Sequence, residues 1–70
     1  MANFKEVNKA IRTAFPTLDI EVVRGSGYVY FTGRDGFAKV DSVYTNPTTT
    51  STTDMIRMVV ENIEDSIPQN

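Results

Sequence analysis

An eight-residue segment, residues 24–31, constrains the fold of this chain more than any other. It reads Arg-Gly-Ser-Gly-Tyr-Val-Tyr-Phe, which places two glycines directly before a run of aromatic and β-branched residues. Glycine adopts positive φ without steric cost, so the segment predicts a tight turn that leads into a strand. Because side chains alternate along a strand, Val29 and Phe31 should face a core, while Tyr28 and Tyr30 should lie side by side on the opposite face.

Two further segments complete the predicted sheet. Residues 18–24 alternate between apolar and polar side chains, which predicts a strand that pairs with residues 28–32 to form a hairpin. Gly33, Arg34, Asp35 and Gly36 favour a second turn. A third strand is expected between residues 39 and 45, with residues 41–45 as its best segment. Its register stays open, because neither of its two faces is clearly apolar.

A helix is predicted over residues 3–15. Asn3 is suited to be its N-cap, and Glu6 stands at the position that a capping box requires. Pro16 ends the helix, since the residue before a proline disfavours helical dihedral angles. One apolar stripe recurs at helical spacing: Phe4, Val7, Ile11 and Phe15.

A second helix is predicted to run to about residue 66. Thr52 or Thr53 can cap it, and the Ser/Thr run 48–53 is then a linker, the alternative being a contact loop or a modification site. Met55 and Met58 should flank the apolar stripe as core edge. The members of that stripe are Ile56, Val59, Val60, Ile63 and Ile67.

These elements predict a single α+β domain over residues 1–70. Its expected architecture is α-β-β-β-α, a three-stranded antiparallel sheet with the N-terminal and the C-terminal helix on one face. The two helical stripes and the inner faces of the strands would form the core.

Composition argues against catalysis. The chain has no histidine and no cysteine, which excludes the usual general base, the usual zinc ligands, disulfides and the triads built on those residues. Two carboxylate pairs, Asp19/Glu21 and Glu61/Asp65, each share one face, but solvent-facing carboxylates often do so. We therefore expect neither enzymatic activity nor a metal or other cofactor.

Charge and hydropathy indicate the setting. No apolar run is long enough to span a membrane, and no signal-peptide pattern opens the chain, so a cytoplasmic protein with no membrane partner is expected. Residues 1–40 carry six basic and four acidic side chains, whereas residues 41–70 carry one basic and five acidic ones. The two halves would then present surfaces of opposite charge, or simply solvated faces.

Residues 24–31 also resemble the strand motif of RNA-recognition-motif domains. Arg24, Gly25, Gly27, Tyr28, Val29 and Phe31 match that motif. Ser26 stands where the family has a stacking aromatic, and the first and last strands of that fold are missing here. The resemblance implies an alternative function, the binding of single-stranded nucleic acid by stacking on Tyr28 and Tyr30 with Arg24 on phosphate.

Two segments resemble a family of very short phage- and plasmid-encoded proteins. They are residues 27–33, Gly-Tyr-Val-Tyr-Phe-Thr-Gly, and residues 42–45, Ser-Val-Tyr-Thr, which precede a threonine-led helix. The resemblance spans about residues 7–60, and this chain lacks the tryptophan that the family often has in its last helix. It implies a mobile-element protein and, by analogy with other small phage proteins, an inhibitor of host defence such as an anti-CRISPR protein.

The predicted function is therefore that of a small non-enzymatic accessory protein that binds and inhibits a host protein or ribonucleoprotein complex in the bacterial cytoplasm. Tyrosine and arginine are the residues that most often anchor protein interfaces. A homodimer formed through an open strand edge is a further alternative. The predicted partner-binding residues are Tyr28, Tyr30, Arg24, Tyr44, Arg57, Glu61 and Glu64.

Overall fold

The computed structural model describes residues 2–34 and 40–66 of the chain, which form two helices and two strands. Helix α1 (Phe4–Ala14) is followed by strands β1 (Ile20–Arg24) and β2 (Val29–Gly33) and by helix α2 (Thr52–Ser66). All four elements contribute to one hydrophobic core. The α+β class expected from the sequence is confirmed. Within the described residues, neither helix is long and apolar enough to cross a membrane.

The prediction of a three-stranded sheet is wrong. Among the described residues the sheet has two strands, and the expected third strand at residues 41–45 forms only an isolated antiparallel bridge between Val43 and Val29, with N–H···O distances of 2.9 and 3.0 Å. Beyond the bridge the backbone bonds locally, since the Thr45 N–H donates to the Val43 carbonyl at 3.1 Å. A strand is fixed in register by an apolar face that it can bury, and this segment has none.

The hairpin formed by β1 and β2 was predicted from the sequence and is confirmed. The strands pair antiparallel, with Ile20 opposite Gly33 and Arg24 opposite Val29. The second predicted turn begins at Gly33, but Asp35 and Gly36 lie outside the described residues, as does Lys39 at the start of the expected third strand. The inward side chains of the hairpin are buried in the core: Ile20, Val22, Val29 and Phe31.

Helix α1 begins as predicted, but its cap is completed by another helix. The Asn3 side chain accepts hydrogen bonds from the N–H groups of Lys5 and Glu6. The N–H of Asn3, which a capping box would direct to the side chain of Glu6, instead donates to Thr52 Oγ1 at 2.9 Å. The two helices therefore begin side by side.

The cap of α2 is Ser51, one residue before the predicted Thr52 or Thr53. Ser51 Oγ accepts a hydrogen bond from the Asp54 N–H at 3.1 Å, and the Ser51 carbonyl accepts one from Met55. Thr52 is the first residue of the helix, and its hydroxyl is already used by Asn3.

The buried stripe of α2 includes Val59 and Ile63, as predicted, but it is displaced towards Met55 and away from Ile56 and Val60. Met55, Val59 and Ile63 are fully buried, whereas Ile56 and Val60 are only half-buried against the edge of the core. The apolar arc of the helix is wide, and the core covers its Met55 side better than its Ile56 side. Met55 is thus a core residue rather than an edge residue, while Met58 is half-buried. Ile67 lies outside the described residues.

Candidate binding surface

Three tyrosines meet on the outer face of the sheet. The ring centroids of Tyr28 and Tyr30 are 6.0 Å apart with an interplanar angle of 38°, and those of Tyr28 and Tyr44 are 6.3 Å apart with an angle of 43°. Tilted pairs at this distance are favoured by the quadrupoles of the rings. We call these three residues the tyrosine cluster, with Tyr28 at its centre.

The cluster is open to solvent. Tyr44 is 86% exposed and Tyr30 is 39% exposed, and they are the exposed large hydrophobic residues among residues 2–34 and 40–66. Tyr28 is half-buried between them. Exposed aromatic side chains that touch one another, instead of being scattered singly, are typical of interaction surfaces.

Two backbone features hold the outer members of the cluster against Tyr28. Tyr30 lies in β2 opposite Val23, two residues along from Tyr28, so both rings project from the same face. The bridge between Val29 and Val43 places Tyr44 directly across from Tyr28. The contact of Tyr28 with Tyr30 was predicted from their alternation. The contact with Tyr44 was not, because it depends on a single bridge whose register the sequence leaves open.

The ring of Tyr28 packs against the backbone of Gly25. A Cβ atom at Gly25 would lie 2.6 Å from Tyr28 Cζ and 2.7 Å from Cε2, closer than side-chain atoms approach. The turn is closed by the Gly25 N–H, which donates to the Tyr28 carbonyl at 2.8 Å. Gly27, with φ of +79°, is the residue that uses positive φ in this turn. Gly25 is therefore needed for space, a requirement that the turn motif alone does not reveal.

Arg24 borders the cluster without joining it. Its guanidinium donates a hydrogen bond to Thr48 Oγ1 at 2.9 Å. A polar depression surrounds this contact at the tip of the hairpin, and its lining is Arg24, Gly25, Ser26, Gly27, Asn46, Pro47 and Thr48. The structure thus connects Arg24 to the Ser/Thr segment through Thr48.

The remaining predicted residues lie on another surface. Arg57, Glu61 and Glu64 are exposed on α2, on the side away from its buried stripe. Arg57 forms an ion pair with Asp54 at 3.7 Å, with both side chains about 60% exposed. Because the helices cover the inner face of the sheet and the tyrosines project from the outer face, the two predicted sets of residues do not form one site.

Comparison of the chain with protein-family models, with curated proteins and with solved structures found no match. The resemblance to short phage- and plasmid-encoded proteins therefore stays a prediction. Arguments about function rest on the geometry of the surface itself.

Proposed function

We propose that this chain is a non-enzymatic binding protein that attaches to a protein partner through the tyrosine cluster. The observation that carries the proposal is the position of Tyr44, 86% exposed yet in ring contact with Tyr28. Tyrosine supplies a large, rigid contact area and a hydroxyl that bonds at the rim, and for this reason it is enriched at binding hot spots.

The cluster is arranged before any partner arrives. Tyr28 is seated on Gly25, Tyr30 is fixed by the ladder of the hairpin, and Tyr44 follows the bridge at Val43. Side chains that are already ordered lose little conformational entropy on association, so more of the contact energy contributes to affinity. A small domain can in this way bind tightly through few residues.

The setting that best suits such a module is inhibition of a host complex by a mobile-element protein. The segments that resemble the phage and plasmid family, residues 27–33 and 42–45, contain all three members of the tyrosine cluster. A protein that blocks a bacterial host protein or ribonucleoprotein complex acts by occupying a surface, which requires neither a cofactor nor a catalytic group.

Stacking of single-stranded nucleic acid on the cluster is the second candidate, favoured by the position of Arg24 beside Gly25. Three features make it weaker. Arg24 already bonds Thr48, the acidic Glu21 is exposed on the same strand, and the rings touch one another at tilts of 38° and 43°, which leaves no slot for a base between them.

Affinity capture from a bacterial lysate, quantified by mass spectrometry, tests the proposal. Wild-type protein, Tyr44→Ser and the exposed control Thr17→Ser would each serve as bait, with and without nuclease. We expect a protein that wild type and Thr17→Ser retain, that Tyr44→Ser loses and that nuclease does not remove. Capture that nuclease abolishes would favour the second candidate, and equal capture by all three baits would contradict both.

A further inference from the structure

The polar depression at the tip of the hairpin is a second surface with a chemistry of its own. Its walls come from the turn between β1 and β2 and from the segment 46–48 that precedes α2. The Arg24 guanidinium joins the two walls, since it donates a hydrogen bond to Thr48 Oγ1 at 2.9 Å. Thr48 is uncharged, so this bond positions the guanidinium without neutralising it.

The charge of the lining is positive. Among the described residues that line the depression, Arg24 is the sole one with an ionisable side chain, and the rest are glycine, serine, asparagine, proline and threonine. A concave polar surface with one cation and no carboxylate in its lining favours a negatively charged ligand.

The wall formed by residues 46–48 has used its side-chain acceptors and kept its donors. Asn46 Oδ1 accepts a hydrogen bond from the Thr48 N–H at 2.9 Å, and the Asn46 carbonyl accepts one from the Thr50 hydroxyl at 2.7 Å. The bond at Oδ1 fixes the orientation of the carboxamide, and its Nδ2 donor has no partner among the described residues. The Thr48 hydroxyl accepts from Arg24, which leaves its own proton to donate.

The opposite wall, formed by the turn, supplies further donors. The N–H groups of Ser26 and Gly27 and the Ser26 hydroxyl have no hydrogen-bond partner within residues 2–34 and 40–66. The turn is instead closed by the Gly25 N–H, which donates to the Tyr28 carbonyl at 2.8 Å. Successive backbone N–H groups in a turn conformation form a concavity that binds anions. The two walls therefore offer donors to one anionic ligand.

We infer that the depression binds the phosphate group of a phosphate monoester. Such a group has three terminal oxygens and a charge of about −1.5 to −2 at neutral pH, so it can accept from Arg24 and from both walls together. A carboxylate has two oxygens and a single charge, and it would leave part of the donors unused. A phosphodiester, the backbone group of nucleic acid, likewise has two free oxygens and a single charge.

An amide NMR titration with inorganic phosphate at constant ionic strength tests the inference. We expect the N–H signals of Ser26 and Gly27 to shift along one saturable curve, and we expect acetate and dimethyl phosphate to bind more weakly. A phosphoserine peptide and glycerol phosphate carry the same group on a protein segment and on a small molecule, and the tighter of the two identifies the source. Dimethyl phosphate that binds as tightly as inorganic phosphate would overturn the inference in favour of nucleic acid. Shifts that do not saturate would mean an adventitious ion only, which would also overturn it.

Substitution of Arg24 provides the sharper test. Arg24→Gln should raise the dissociation constant of inorganic phosphate about tenfold or more, because it removes the charged donor. Arg12→Gln removes an equal charge from an exposed position on α1 and should leave the constant unchanged. Equal effects of these two substitutions would contradict the inference.

Two further variants complete the design. Ser26→Ala removes one donor and no charge, so it should weaken phosphate binding by a smaller factor, and it provides a second test if circular dichroism shows that Arg24→Gln is not folded. Tyr44→Ser should bind phosphate as wild type does, because Tyr44 does not line the depression. The inference is therefore tested separately from the proposed function. Phosphate binding that Ser26→Ala leaves unaltered and Tyr44→Ser abolishes would overturn it.

Discussion

The carboxamide of Asn8 pairs with the backbone of Val22 as a neighbouring strand would. Asn8 Oδ1 accepts a hydrogen bond from the Val22 N–H at 2.8 Å, and Asn8 Nδ2 donates to the Val22 carbonyl at 3.2 Å. One helical side chain thus satisfies both groups that the edge of β1 would otherwise leave open, and it joins α1 to the sheet.

Removal of this contact should destabilise the protein. Asn8→Ala leaves the part-buried backbone groups of Val22 without partners, and we expect a loss of about 1–3 kcal/mol in the free energy of unfolding. Urea denaturation would measure it, with the exposed neighbour Lys9→Ala as the control for helix propensity. A loss no greater than that of the control would show that water replaces Asn8 at no cost.

Substitution of the two methionines of α2 tests which side of the helix is buried, and it compares two positions that carry the same type of residue. Met55 is fully buried and Met58 is half-buried. Met55→Ala should cost about 2–5 kcal/mol because it leaves a cavity in the core, and Met58→Ala should cost less than about 1 kcal/mol. Chemical denaturation of both variants gives the comparison. Equal losses would favour the arrangement that the sequence predicted, in which Met55 and Met58 both flank the stripe at the edge of the core.

The packing of the Tyr28 ring against Gly25 can be tested before any partner is known. Gly25→Ala places a methyl group where the ring lies, so the ring must move away from Tyr30 and Tyr44. Nuclear Overhauser contacts between Tyr28 and its two neighbours should weaken, while Ser26→Ala in the same turn should preserve them. Unchanged ring contacts in Gly25→Ala would mean that the backbone, and not the ring, adapts.

The sequence predicted the parts of the fold that depend on neighbouring residues. Asn3 and Pro16 mark the ends of α1, and the glycines before Tyr28 mark the hairpin, because caps, proline and turns act over a few residues. The prediction of the third strand was wrong because the pairing of that segment depends on a contact with a distant part of the chain. Segment 41–45 has strand-forming residues but no apolar face, so its pairing was decided by the single contact of Val43 with Val29.

The same distinction between local and long-range contacts applies to the candidate site. Tyr28 and Tyr30 lie two residues apart in one extended segment, and their proximity follows from that alternation. Tyr44 contacts Tyr28 from a distant part of the chain. Arg24 forms a hydrogen bond with Thr48, and the sequence did not predict this contact because nothing distinguishes Thr48 from the other residues of the Ser/Thr run. Such contacts depend on the tertiary arrangement, and no local pattern encodes them.

The loss of binding caused by Tyr44→Ser tests the central claim most directly. Tyr44 is 86% exposed, so its removal should change the free energy of unfolding by less than about 0.5 kcal/mol. For the protein partner recovered by affinity capture, calorimetric titration should show binding weakened by about 2 kcal/mol or more, which is the effect of a hot spot. The exposed control Thr17→Ser should bind as wild type does. A folded Tyr44→Ser variant that binds the partner with wild-type affinity would contradict the account.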